Sequence, residues 1–180
     1  VTRFGAADKG DPFDPLNAEG GSLLQANAIS SECLEIVPAT ATIIADRVTP
    51  SILGAGLVEA VDGADIIALQ SNGGVVHWVP ILENPAAPFA VGRFGWKSQL
   101  ATLMSFSGDA TLMEMGITNS ILVAENAPNG DTTLLPICDS VPDPEEPMDN
   151  GVPYLERITD FQKFLAPPPQ TPRSGMAGEA

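Results

Sequence analysis

Two carboxylates stand among apolar neighbours: Glu59 within Leu57-Val58-Glu59-Ala60-Val61, and Glu114 between Met113 and Met115. Apolar surroundings raise a carboxyl pKa towards the range where the group can pass a proton. Both are therefore candidate general acids or bases, and the competing role for each is a buried or helix-terminal hydrogen bond. Met113 and Met115 bring soft thioether donors, although methionines at helical spacing also fill cores. Histidine side chains in general change charge near neutrality, so His77, the sole histidine, suits a ligand or a proton shuttle. Its place beside Trp78 in an apolar run fits a structural histidine equally. Asp143, Glu145, Glu146 and Asp149 offer the oxygens that calcium prefers. Their spacing matches no calcium-loop template, and the prolines between them read as a solvated linker.

Other chemistries are excluded more firmly. Cys33 and Cys138 have no second cysteine near them, so cysteine-ligated zinc or iron–sulfur is not indicated. A disulfide between them and two separate thiols both remain open. Gly54-Ala55-Gly56 lacks the third glycine of a dinucleotide loop, and no Ser–His–Asp signature stands out. The net charge of −15, with eight Lys and Arg, argues against a nucleic-acid partner. Such a surface keeps a protein soluble and can attract a basic partner such as a small electron-carrying protein. No apolar run is long enough to span a membrane.

Elements that would position these residues follow from the pattern. The chain divides into a loop-rich start (1–34, with a short helix near 22–28), a core region (35–120), an acidic Pro-rich linker (121–150), a helix (151–166) and a Pro-rich spacer (167–180). The fold class is mainly α, with long loops and a few short strands. Residues 35–48 read as extended chain broken at Pro38. Asp62 or Asp65 caps a helix reaching about Ser71, and Val75–Val79 forms a short strand. The main helix is expected over 98–115, capped by Ser98 and closed by Gly116, with Leu100, Leu103, Met104, Ala110 and Met113 on its apolar stripe. Tyr154, Leu155, Ile158, Phe161, Phe164 and Leu165 mark an amphipathic helix ending before Pro167.

Four stretches then carry a resemblance. They are Arg47-Val48-Thr49-Pro50-Ser51-Ile52-Leu53-Gly54-Ala55-Gly56-Leu57-Val58-Glu59-Ala60-Val61, Gly92-Arg93-Phe94-Gly95-Trp96-Lys97, Glu114-Met115-Gly116-Ile117-Thr118-Asn119, and Thr159-Asp160-Phe161 through Leu165-Ala166-Pro167-Pro168. In this order they resemble the bacterial di-haem oxidoreductase family with two CxxC motifs, the relatives of di-haem cytochrome c peroxidases. Family members attach two c-type haems through Cys-x-x-Cys-His motifs. This chain has neither motif, so it is similar to the family's middle section, with the haems held by flanking sequence. The opening Val1-Thr2-Arg3-Phe4 has neither Met nor a leader pattern, and the ending at Ala180 resembles an interrupted helix. A fragment is therefore expected.

The resemblance implies a cytochrome-c-like architecture in a periplasmic or secreted enzyme. One haem passes electrons to the other, where a peroxide-like oxidant is reduced. The fragment alone is expected to be inactive. Trp96 takes the place of a tryptophan that relays electrons between haems, and its indole can stack on a porphyrin. Arg93 and Lys97 are expected to pair with haem propionates, with Phe94 beside them. Met115 is the candidate sixth iron ligand. Glu59 and Glu114 would move the proton that peroxide cleavage requires. The structural alternative for Trp96 is a core plug where Gly95 permits close packing. Alternatives for the whole chain are a haem-dependent oxygenase on the same scaffold and a haem-free binding or structural module.

Overall fold

A computed structural model describes residues 1–8, 10 and 12–169. The strands are β1 (Thr2–Gly5), β2 (Ile43–Asp46), β3 (Trp78–Val79), β4 (Ala90–Val91), β5 (Met148–Asp149) and β6 (Val152–Pro153). They pair antiparallel as three separate two-stranded ladders, β1 with β2, β3 with β4 and β5 with β6. The α-helices are α1 (Ala55–Glu59), α2 (Gly63–Ala68), α3 (Leu103–Met115), α4 (Leu135–Cys138) and α5 (Tyr154–Phe164). Short 3₁₀ turns and long loops join them, so the mainly helical class with small strands is what the chain adopts.

The helix α3 is the centre. Leu103 is fully buried in a cluster with Ala55, Phe94 and Leu100, against which Leu82 and Phe106 pack. Burying one such leucine contributes about 2–3 kcal/mol. The helix α1 approaches α5 so closely that a side chain on Gly56 would run into the backbone carbonyl of Lys163. Only glycine allows that contact. At the other end of α3, Gly116 adopts φ 65° and its N–H donates to Leu112 O, closing the helix.

The helix α3 begins later than its apolar stripe predicts. Gly95 (φ 82°) and Ser98 (φ 52°) turn the chain back so that Phe94 and Leu100 exchange backbone hydrogen bonds. Ser98 is thus committed to a loop and cannot cap. Thr102 caps instead, accepting from Ser105 N at 3.0 Å. The buried positions of α3 are also more polar than expected: Ser105, Ser107, Gly108 and Thr111 join Leu103 and Leu112, while Met104, Ala110 and Met113 are half-buried.

The same inversion marks α5. Its buried residues are Leu155, Thr159 and Gln162, and Gln162 Nε2 donates to Ser107 Oγ at 2.9 Å. The expected apolar face is instead largely in solvent, with Phe161 61% and Phe164 85% exposed. Of the residues at helical spacing, Tyr154 and Phe161 are exposed while Ile158 and Leu165 are half-buried.

Three further expectations are corrected. No helix forms at 22–28: Phe4 N donates to Ser22 O and Leu24 N to Thr2 O, drawing the segment alongside β1 as extended chain. The expected strand at 75–79 shrinks to Trp78–Val79, leaving Val75 almost wholly in solvent. The acidic linker is not free in solution. Thr118 Oγ1 donates to Asp143, Glu145 N donates to Thr118 Oγ1, and Glu146 accepts from Ser120 N and Leu155 N. Hydrogen bonds to charged acceptors hold it where apolar contacts are few. Pro167 is set against Gly54, while the remainder of the expected spacer, from 170 onwards, and the interrupted helix at the end lie outside the described residues.

Candidate functional site

The candidate residues separate into two groups, one at each end of α3. Trp96, Arg93, Phe94, Lys97 and Glu59 surround its start, and Glu114 and Met115 form its end. A helix of 13 residues holds the two groups about 20 Å apart. One compact constellation of all seven is therefore not formed.

Trp96 does not plug the core. It sits on the loop that delays α3, 44% exposed, with the Arg47 guanidinium carbon 5.4 Å from its ring centroid. That is cation–π distance. Phe94, the neighbour expected beside a cofactor, is buried in the Leu103 cluster, 6.0 Å from the Phe106 ring. Arg93 is already engaged. Its two terminal nitrogens donate to Val91 O at 2.9 Å and Val61 O at 2.8 Å, clipping α2's approach to β4, and its Nε is buried without a partner. Arg93 is a backbone clamp; the cation against the indole is the half-buried Arg47, and the exposed Lys97 follows Trp96 in the chain. Arg47 was hidden in the sequence because the two residues stand 49 positions apart (96 − 47).

Glu59 is structural by geometry. Its Oε1 accepts from Leu103 N at 2.7 Å, and its Oε2 lies 3.7 Å from Lys163 Nζ. One carboxylate thereby satisfies a first-turn N–H of α3 and ties α1 to α5. Glu83, which drew no attention as a candidate, accepts from Thr102 Oγ1 at 2.7 Å and from Ser105 Oγ at the same helix start. The positive end of α3 is thus met by two carboxylates, one from the end of α1 and one from the loop between β3 and β4.

At the far end, Glu114 and Met115 are exposed and line a cleft of about 660 Å³. Leu23, Ile29, Leu135 and Val141 supply apolar walls, and Cys33 and Cys138 border it. These cysteines form a disulfide, resolving the alternative left open by their spacing. Met113 is not available as a donor, since its Sδ accepts from Asn126 Nδ2 at 3.3 Å. Burial pushes the Glu125 carboxyl above its ordinary value, the Asn126 N–H opposes this, and Glu145, Asp139 and Asp143 add repulsion.

Glu125, Asp139 and Asp143 bring carboxylate oxygens within 4.8 Å of one another. Calcium takes six to eight oxygens, well beyond this trio. The residues singled out for calcium do not gather either. Asp143, Glu145 and Glu146 are turned to Thr118, Ser120 and Leu155, and Asp149 pairs with Arg157 at 3.4 Å. His77 is exposed, with Nδ1 3.0 Å from Lys97 O, and so braces the Trp96 loop from outside.

No protein-family model, curated protein or solved structure matches this chain.

The functional reading therefore rests on the residues themselves. The end of α3 nearest Trp96 presents an exposed indole and two cations, chemistry suited to a flat aromatic ligand bearing carboxylates. The opposite end presents an exposed thioether and a carboxylate on a cleft wall. Among the described residues no helix is long and apolar enough to cross a membrane.

Proposed function

We propose that this chain is the haem-facing middle section of a secreted or periplasmic c-type di-haem oxidoreductase of the peroxidase type. Its two haem c groups are anchored by flanking sequence, and a small redox protein supplies electrons.

The observation that carries the reading is convergence. The four stretches that resemble the family lie far apart in sequence, yet they meet around α3. Gly54 N donates to Leu165 O, Glu59 joins Leu103 and Lys163, Arg93 clamps Val61, and Asn119 Nδ2 donates to Gly108 O. From these stretches Ala55 and Phe94 join the buried core, and Thr118, Asn119, Thr159 and Gln162 are buried polar residues, as expected if the resemblance reflects a common scaffold. The uncovered flank of α5 and the exposed Trp96 add support, because apolar surface of this kind normally meets a partner or a ligand. The disulfide fits an oxidising compartment.

The two ends of α3 differ as haem sites: cations stand only at its start, and the cleft at its end is lined by Glu114, Glu125, Asp139 and Glu145. Arg47 and Lys97 would meet propionates beside Trp96, and Met115 has an open thioether at the other end. Bound haem supplies the redox chemistry. Trp96 presents a π surface between solvent and Arg47, Glu59 and Glu83 fix the helix start, and Glu114 places a carboxylate at the cleft.

The test is the mass of the intact secreted gene product. Two covalently attached haems are expected; a product of apoprotein mass in cells that mature other c-type cytochromes would overturn the proposal.

A further inference from the structure

We propose that the cleft at the end of α3 binds a small organic cation, a primary ammonium group carried on an apolar stem. Glu125, Asp139 and Asp143 seat the ammonium, and Ile29, Leu135 and Val141 cover the stem. The inference goes beyond the haem reading and does not rest on it. Its seat is built by Glu125 and the chain that follows α4, whereas Trp96 stands at the opposite end of α3.

The cleft has the size and the walls for such a ligand. Its volume of about 660 Å³ falls in the range of small-molecule sites, and apolar side chains with the Cys33–Cys138 disulfide form much of its lining. The walls are fixed before anything binds. Gln25 donates its backbone N–H to Glu35 and its side-chain amide to Met113 O, Asn126 Nδ2 donates to Met113 Sδ, and the disulfide holds α4 against the turn at Cys33. A pre-formed surface loses little freedom on binding.

Its side-chain charge has one sign. Glu114, Glu125, Asp139 and Glu145 line it, and no Lys, Arg or His side chain does. Among the described residues none of the four has a cationic side chain within ion-pair distance, although Asp149 and Glu59 pair with Arg157 and Lys163 elsewhere. The C-terminal end of α3 opens onto the same space, and the negative end of a helix dipole favours a cation. Burial raises the Glu125 carboxyl, and repulsion from Glu145, Asp139 and Asp143 raises it further; an arriving positive charge relieves that repulsion.

Geometry selects the kind of cation. Oxygens of Glu125, Asp139 and Asp143 lie within 4.8 Å of one another. One oxygen of each accepts from Asn126 N, Val141 N or Thr118 Oγ1, and among the described residues the second oxygen of each accepts nothing. An ammonium has three N–H donors, and acceptors about 2.8 Å from its nitrogen in tetrahedral directions stand about 4.6 Å apart. Calcium needs six to eight oxygens, and apolar walls supply none. A bare inorganic cation gains nothing from Ile29, Leu135 and Val141, whereas an apolar stem is drawn out of water by them.

The test is calorimetric titration of the intact gene product with hexylamine, which is charged at neutral pH. Saturable binding is expected, with hexanol and the ammonium ion each about ten-fold weaker. Glu125→Gln and Asp139→Asn should each weaken hexylamine about five-fold. Asp160→Asn removes the same charge from an exposed position on α5 outside the cleft and should leave the affinity unchanged, with circular dichroism verifying the fold of each variant. Equal affinity for hexylamine and hexanol, equal affinity for hexylamine and the ammonium ion, or equal affinity of Glu125→Gln and parent would each overturn the site. Absence of saturable hexylamine binding would overturn it too, and calcium binding in its place would assign these carboxylates to a metal. Haem attachment is read separately from the mass of the product, so the two proposals fail independently.

Discussion

The Arg47 guanidinium carbon lies 5.4 Å from the centroid of the Trp96 ring, joining the chain just beyond β2 to the loop that precedes α3. A partly exposed pair of this type is worth about 0.5–1 kcal/mol. Arg47→Ala should lower the denaturant midpoint by that modest amount and shift Trp96 emission to the red in a Trp78→Phe background. An unchanged emission maximum would mean the two side chains do not stack in solution.

Glu59 separates a structural role from a catalytic one. Glu59→Ala removes the acceptor for Leu103 N and the partner of Lys163, with an expected loss of about 1–3 kcal/mol. Glu59→Gln keeps an acceptor oxygen and should cost less, about 1 kcal/mol or below, through the lost charge at the helix start. Thermal melts of both variants decide this. A melting temperature unmoved by Glu59→Ala would contradict the capping role.

The disulfide spans 105 positions and links the turn containing Cys33 to α4. Closing so long a loop restricts the unfolded chain strongly, so Cys33→Ser with Cys138→Ser should lower stability by about 2–5 kcal/mol. Chemical denaturation with and without a reductant measures it, and coincident curves would oppose the prediction.

Two half-buried carboxylates, Asp109 and Glu125, set a pH dependence. Burial pushes Asp109 above its ordinary value of 3.8, with Arg3 opposing and Glu114 reinforcing, and burial likewise pushes Glu125 above 4.5. For both groups the folded chain binds more protons than the unfolded chain between the ordinary and the raised value. Stability from these groups therefore falls as pH rises through that window. Asp109→Asn should stabilise at neutral pH, with the gain vanishing below about pH 3.8. A gain of equal size at both extremes would assign the effect to packing instead.

The exposed aromatic flank of α5 predicts behaviour in solution. Phe161 and Phe164 are largely exposed among the described residues, so Phe161→Ser with Phe164→Ser should raise solubility while shifting the melting temperature little. A large fall in melting temperature would show that both rings are packed.

Local chemistry was legible in the sequence where one residue type decides the outcome. Asp62 accepts from Ala64 N at 2.8 Å as a cap, Gly116 ends α3, and the glycines of 52–57 permit the contact with α5. Periodicity misled where apolar residues do not face the core. The aromatic stripe of α5 reads as its buried side, yet Thr159 and Gln162 are buried because they meet Met104 and Ser107 of α3. Long-range partners were not legible at all. Nothing local to Arg93 announces that it spans to Val61, or local to Arg47 that it reaches Trp96. The acidic linker deceived for a related reason: composition measures apolar content, whereas Asp143, Glu145 and Glu146 are held by hydrogen bonds to Thr118, Ser120 and Leu155.

Porphyrin lying against Trp96 is what the account depends on, and indole emission reports it directly. In the intact gene product carrying Trp78→Phe, haem within contact range should quench Trp96 almost completely, with full emission returning on unfolding. Emission as bright as that of a solvent-exposed indole in a sample with a strong Soret band would place the haem elsewhere and contradict the account.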